Sequence, residues 1–505
     1  MFRIFGPPGT GKTTTLLNMV DKALDSGVGP LSIAFLAFTK KAATEAKERA
    51  VKRFNLDPDR DLIYFRTLHS LALSVSDIQT DQIMQMEHFK QLGKAIGVDF
   101  SPAQEDDSDF GAITRTTHPV LNLINLARLR KVPLRRQYDL SNLSQDWIMV
   151  NYIDASYREF KKAFNLYDFT DMLEMFVKEG HEDCPHFELT FLDEAQDLSP
   201  LQWEIAHIID SKSKKMYCAG DDDQAIYKWA GADVDHFIGL DGGVETLSQS
   251  YRVPAAVHEV ATNIASRITG RFPKVYNPND NPGHVERVYD VMNLDLGQGE
   301  WLILAQANYI LKGVYQQLRS LGLFFREHRK NSSSVDAKIA VAVMSWESLR
   351  KGNKISGEQA RTMYSCILSH VGVKRGFKKL PGLGDEDKVS MGELVENFGL
   401  VVDPELIWSD ALKMIPQEDR AYLTALLRRG EKILSEPRIK VSTIHGAKGG
   451  EAENVVVLQD ISSAAADHQM VDPDSLHRVF YVAVTRSKKN LYIVEPENFE
   501  RCYYI

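Results

Sequence analysis

The chain has 505 residues, 44% hydrophobic and 26% charged, with a formal net charge of −9. That suits a globular protein of about two to four domains. No run approaches the roughly 18–20 apolar residues of a membrane helix, and no secretory signal precedes the first strand, so a membrane partner is not expected and the expected compartment is the cytoplasm. Cys184, Cys218, Cys366 and Cys502 are widely spaced without a CxxC pair, and read as reduced thiols rather than a zinc site. The acidic total neither suggests nor excludes nucleic acid, because binding depends on local basic patches.

Met1 to Phe5 reads as a short buried strand, and a helix follows from Thr14 to Leu24. Between them stands Gly6-Pro7-Pro8-Gly9-Thr10-Gly11-Lys12-Thr13, a G-x-x-x-x-G-K-[ST] phosphate loop in its required strand–loop–helix setting, with Thr14 directly behind it. Its backbone N–H groups and the helix N-terminus suit phosphate oxygens, Lys12 suits the β- and γ-phosphates, and the Thr13 hydroxyl suits Mg²⁺.

Leu31 to Phe38 is a second buried strand, ending in Phe38-Thr39-Lys40-Lys41 and a basic helix to about Phe54. An aromatic and two cations at the mouth of a parallel sheet suit a ligand; a strand end beside a solvated basic helix suits the same residues. Ile63 to His69 reads as a third strand. A helical stretch with an acidic loop at 105–109 then intervenes, carrying Arg128, Arg130, Lys131, Arg135 and Arg136. Those cations suit either phosphate contacts or a solvated face.

Glu188 to Leu192 is a strand followed at once by Asp193-Glu194-Ala195-Gln196-Asp197. Downstream of a phosphate loop, Asp193 can hold Mg²⁺ and Glu194 can orient and deprotonate water, with an ordinary acidic loop as the alternative. The next strand, Lys215 to Ala219, ends in Gly220-Asp221-Asp222-Asp223-Gln224-Ala225-Ile226-Tyr227-Lys228-Trp229. Gln224 can sense a γ-phosphate, while Tyr227 and Trp229 can stack on something flat or simply pack. Strands at Gly299–Ala305, Ile439–Ile444, Asn454–Gln459 and Leu491–Val494 build a second αβ-alternating region around a mostly helical stretch, 336–427. The expected class is therefore α/β, with two parallel-sheet domains, each interrupted by a helical insertion.

GPPGTGKT, AFTKKAA, TLHS, YDFTDML, FLDEAQD, GDDDQAIYKWAGA, LSQSYR, STIHGAKGGE and YVAVTR, in that order from Phe2 to Val494, resemble the motifs of the UvrD/Rep/PcrA-like helicases of superfamily 1. The resemblance implies two RecA-like domains. The first covers 1–75 and 165–248 with an insertion at 76–164, and the second covers 249–331 and 432–505 with an insertion at 332–431. It implies an ATP- and Mg²⁺-dependent DNA helicase moving 3′ to 5′ on single strands and on tailed or forked duplex. An ATPase switch or translocase subunit acting through a protein partner is the alternative, and a metabolic kinase is a remote third. Position by position, Arg252 and Arg486 look like two arginine fingers, Tyr251 an adenine stacker, and Glu451 a ribose contact. Phe38, Thr39, Lys40, Thr67, His69, Tyr227, Trp229 and His445 would meet the strand.

The sequence also departs from that pattern. An arginine of the family is Ala230, Gly-Leu-Glu-Phe is Gly449-Gly450-Glu451-Ala452, and the two arginines before the last motif are His477 and Arg478. The chain starts at the first strand and stops soon after the last sheet. The expectation is relaxed base selectivity and a compact member of the kind a phage carries.

Overall fold

A computed structural model of the chain describes residues 1–38, 40–100, 118–180, 182–327 and 332–505. Thr39, the acidic loop at 105–109 and Asn331 lie outside the described residues.

Strands β1 Phe2–Phe5, β2 Ile33–Ala37, β3 Phe65–Thr67, β4 Phe187–Asp193, β5 Ser213–Gly220 and β6 Val244–Thr246 come first in the chain. All five residues of β2 are buried, as an unbroken apolar run must be when helices cover both faces of a parallel sheet. Among the described residues these strands pair in parallel in the order β3-β2-β4-β5-β1-β6. The phosphate loop, the acidic pair and the Asp221–Gln224 turn follow β1, β4 and β5, so all three lie at the carboxyl edge of one sheet, where such sheets bind ligands.

The second sheet comprises β7 His284–Val288, β8 Trp301–Ala305, β9 Phe325–Glu327, β10 Ser332–Ser333, β13 Ile439–Thr443, β14 Ala452–Leu458 and β15 Ser487–Val494. Its order is β10-β9-β13-β8-β14-β15-β7, parallel except for β10. Helices and a small antiparallel pair, β11 Ile355–Ser356 and β12 Lys388–Val389, fill the chain between β10 and β13. One apolar core runs through both sheet domains, from Phe5 and Leu192 through Val253 and Val257 to Leu304 and Phe480. Phe5 stacks on Phe272 at 4.0 Å and 4°.

Two local expectations change. The third strand stops at Thr67, whose hydroxyl accepts from the Ser70 N–H at 3.2 Å and caps helix Leu68–Ser74. His69 therefore lies in a helix and not in a strand. Within the basic segment Lys131, Arg135 and Arg136 are exposed, but Arg128 is neither a solvated cation nor free for phosphate. Arg128 donates to Asp168 at 2.8 Å, Asp171 at 2.6 Å and Glu174 at 2.7 Å. Lys161 and the Tyr157 hydroxyl converge on the same Asp168 at 2.6 and 2.8 Å. Asp168 and Asp171 form the capping box of helix Phe169–Lys178, so this buried knot ties the inserted helices to the first domain. Arg130 donates to the Lys228 carbonyl at 2.9 Å, and Lys131 pairs with Glu204.

The cysteines are free thiols, with Cys184, Cys218 and Cys366 buried. Among the described residues no helix is long and apolar enough to cross a membrane.

Candidate functional site

The phosphate loop turns through left-handed Gly9 and Gly11, at φ +73° and +77°, before helix Lys12–Asp25 starts. Lys12 Nζ folds back to donate to the Gly6 carbonyl at 2.8 Å, and Thr10 Oγ1 donates to the Pro7 carbonyl at 2.8 Å. Thr13 Oγ1 donates to Asp193 Oδ2 at 2.7 Å.

Glu194, immediately after β4, takes a left-handed conformation at φ +56°, unusual for a side-chain-bearing residue and a mark of functional turns. Its N–H donates to Asp193 Oδ1 at 2.9 Å. Burial beside Glu194 raises the Asp193 carboxyl to about 6, against the pull of Lys12. Burial acts the same way on Glu194, but Lys12, Lys448 and a 2.6 Å hydrogen bond from Gln196 Nε2 outweigh it and hold Glu194 at about 2. Glu194 is thus an ionised base that keeps about 29% of its side chain exposed. The hydroxyl–carboxylate pair of Thr13 and Asp193, next to an ionised Glu194, is a donor set that fits Mg²⁺.

The second domain closes directly onto this loop. Ser250 Oγ donates to the Pro8 carbonyl at 2.7 Å and the Tyr251 N–H to the Gly9 carbonyl at 2.8 Å. Tyr251 holds its ring 76% exposed. Arg252 Nε lies 2.5 Å from Glu451 Oε2, an ion pair without hydrogen-bond alignment. Arg486, 2% exposed at the end of helix Pro473–Val484, donates from Nη2 to Gln224 Oε1 at 2.9 Å and from Nε to the Val482 carbonyl at 2.9 Å. Burial and the nearby Arg252 charge lower its pKa to about 9, with Glu194 and Glu451 opposing. The structure therefore gathers Lys12, Thr13, Asp193, Glu194, Gln224, Arg252, Arg486 and Glu451 along one seam between the sheets.

Sequence reasoning assigned nothing to two residues here. Gln196 accepts from the Asp221 N–H at 3.0 Å while donating to Glu194, linking the turns after β4 and β5. Lys448 pairs with Asp197, donates to the Gln224 carbonyl at 3.1 Å and lies 3.7 Å from Glu194. Burial of Asp197 outweighs the Lys448 attraction and raises that carboxyl to about 7. Both residues lie inside motifs quoted above, which was the available signal.

A second opening lies along the same seam. Trp229 is 57% exposed, with His445 edge-on at 6.1 Å and 82°. Phe38 and Tyr227 are buried beneath, stacked at 5.8 Å. The Tyr227 hydroxyl reaches the His445 carbonyl at 3.5 Å, so rings of both domains meet there. His69 stands edge-on to Phe169 at 6.3 Å. His69 and His445 are part-exposed, yet among the described residues each Nε2 is buried without a hydrogen-bond partner. Burial lowers both to about 4. Lys40 is exposed at the start of helix Lys40–Phe54.

Residues 2–243 match the UvrD/REP helicase N-terminal domain, and residues 439–494 match the UvrD-like helicase C-terminal domain. The ATP-dependent DNA helicase PcrA of Staphylococcus aureus is 25% identical over 315 residues, covering 57% of this chain and 41% of that protein. A probable DNA helicase II homolog of Mycoplasma pneumoniae is 21% identical over 600 residues, covering 97% and 81%. The chain spans about two fifths of the length of the PcrA relatives it matches. A solved arterivirus nonstructural protein 10 (helicase) in complex with DNA aligns with a TM-score of 0.34 and 12% identity, over 99% of this chain and 61% of that one.

Proposed function

The chain belongs to the UvrD-like helicases, and from that premise we propose that it is an ATP-driven motor that moves along single-stranded DNA and separates duplex. One observation carries the reading: the γ-phosphate sensor Gln224 of the first domain accepts a hydrogen bond from Arg486 of the second at 2.9 Å. A site built from both domains is complete only when they close, so closure and hydrolysis are coupled.

Lys12 and the loop N–H groups bind the phosphates, and Tyr251 takes the adenine on its exposed face. Thr13 and Asp193 would hold Mg²⁺, which supplies charge neutralisation at the β- and γ-phosphates. Glu194, ionised, accepts a proton from the attacking water. Arg486 and Arg252 face the charge that develops on the transferred phosphoryl group; such fingers are worth roughly 10³–10⁵ in rate. Arg252 exchanges Glu451 for phosphate as it does so.

Trp229 and the His445 ring form the strand-facing surface, with Phe38 and Tyr227 as the support beneath. Stacking on an aromatic tolerates any base, which suits movement along arbitrary sequence. The direction we assign is 3′ to 5′, on single strands and on tailed or forked duplex.

A second reading rests on the turn that bears Trp229. It carries Ala230 instead of a cation, and Lys228 is engaged with Asp472 at 2.7 Å. A motor weakly coupled at that turn would act as an ATPase switch on a protein partner.

The test is steady-state ATP hydrolysis with and without single-stranded DNA, beside Lys12→Ala, followed by unwinding of 3′- and 5′-tailed duplexes. DNA-stimulated, Lys12-dependent hydrolysis with unwinding from a 3′ tail is the expected result. Stimulation without unwinding favours the switch, and hydrolysis that survives Lys12→Ala overturns the nucleotide site.

A further inference from the structure

Behind the γ-phosphate sensor lies an ion cluster that belongs to no site described above. Asp221, Asp222 and Asp223 have fully buried side chains. Lys274, itself 1% exposed, reaches all three, at 3.2, 2.6 and 2.7 Å. Arg271 grips Asp223 with two hydrogen bonds, of 2.9 and 2.5 Å. The Phe272 N–H donates to Asp222 Oδ2 at 2.7 Å, and Arg478 Nε to the Asp222 carbonyl at 2.9 Å. Every cation comes from the second domain and every carboxylate from the first. Burial would lower the Lys274 ammonium, but the three carboxylates outweigh it and hold it above the ordinary lysine range.

Asp221 is where two chemical roles meet. Its carboxylate accepts from Gln224 Nε2 at 2.7 Å, which fixes the sensor side chain whose other end takes Arg486. Its N–H reaches Gln196, which holds Glu194. A carboxylate buried this deeply stays ionised and in place only if a cation compensates it.

We propose that Lys274 is a positioning residue for Gln224: by neutralising Asp221 from the opposite domain, it orients the sensor toward the γ-phosphate only in the closed arrangement. This rests on the nucleotide-site reading above. It gives the segment after helix Ala255–Ser266, which carries no motif, a part in making hydrolysis depend on closure. Arg271 acts on Asp223, one step removed from the sensor, and so separates positioning from general support of the junction.

The experiment is a double-mutant cycle on ATP hydrolysis using Lys274→Met, Gln224→Ala and their combination, with Arg271→Met as junction control. Lys274→Met is expected to lower kcat about tenfold or more, with KM for ATP changed less than about twofold. In the Gln224→Ala background it is expected to cost nothing further, and Arg271→Met is expected to keep most of the wild-type kcat. Equal factors in both backgrounds, or an Arg271→Met loss matching that of Lys274→Met, overturn the proposal and leave Lys274 a scaffold residue. If Lys274→Met shows no cooperative melt, Asp221→Asn takes its place: it keeps an acceptor for Gln224 and removes the charge Lys274 meets, and the same non-additivity is required. Absence of Lys12-dependent hydrolysis in the wild type overturns the nucleotide reading and this proposal with it. Additivity on an active wild type overturns this proposal alone.

Discussion

Arg486 and Gln224 join the two domains by one hydrogen bond, 2.9 Å from Nη2 to Oε1, with the arginine 2% exposed. The guanidinium also serves the Val482 carbonyl, so its plane is fixed by two fixed partners. Lysine cannot reproduce that fork. Arg486→Lys is expected to lower kcat for ATP by roughly 10²-fold or more with a small change in KM, since such a contact acts on developing charge. Steady-state kinetics checks it, and a KM effect larger than the kcat effect would place the arginine in ground-state binding instead.

Gly9 sits at φ +73°, and a Cβ there would lie 2.4 Å from the Arg252 Cβ. Gly9→Ala is therefore both strained and in the path of the second domain. Hydrolysis is expected to fall at least about tenfold, because closure and the loop conformation are lost together. The melting temperature should change little, since the loop lies outside the apolar cores, and a large drop would show that the loop supports the fold itself.

Removing Trp229 takes away the exposed ring over Tyr227 and beside His445. Trp229→Ala should weaken single-strand binding roughly 5- to 150-fold, the equivalent of about 1–3 kcal/mol of stacking. DNA stimulation should fall far more than basal hydrolysis. Fluorescence anisotropy with an oligonucleotide reads the first effect, and equal loss of basal and stimulated rates would identify Trp229 as a packing residue.

His69 and His445 are both held near 4 by burial, below the ordinary 6.5. The unfolded chain therefore binds protons between those values that the folded chain refuses. Stability from these rings is fully present above about pH 6.5 and is lost as pH falls toward 4. His445→Gln should flatten the decline of melting temperature between pH 7 and pH 5 relative to wild type. An unchanged slope would show that His445 ionises freely in the folded protein.

Asp168 receives Arg128, Lys161 and Tyr157 in a buried knot, and burial is outweighed so that its carboxyl lies far below the usual range. Asp168→Ala removes the carboxylate shared by Arg128, Lys161 and Tyr157, leaving the two cations only the Asp171 and Glu174 carboxylates, and takes away a helix cap. A destabilisation of about 3–5 kcal/mol is expected, the cost of breaking a buried pair from one side. Denaturant titration measures it, and a cost under about 1 kcal/mol would mean water reaches the knot.

What the sequence revealed follows from distance along the chain. The phosphate loop, Asp193-Glu194 and the Asp221–Gln224 turn each combine a buried strand with the polar residues directly after it, so neighbours alone place them at a sheet edge. β7 was not legible, because three of its five residues, in His284–Val288, are exposed and leave no apolar run. Arg128 looked like a surface cation because its partners lie about 40 residues away on another helix. Lys274 and its three aspartates stand some 50 residues apart and share no motif, so only the folded chain brings them together. The Thr67 cap explains why His69 read as strand: a threonine after apolar residues continues a strand pattern and also starts a helix.

The edge-on contact of Trp229 with His445 has a mechanical consequence. These two rings belong to opposite domains, as Gln224 and Arg486 do, so under the proposed function a relative movement of the domains would change both openings together. The length of each proposed advance would then be set by the protein's own dimensions and not by which bases lie on the ring.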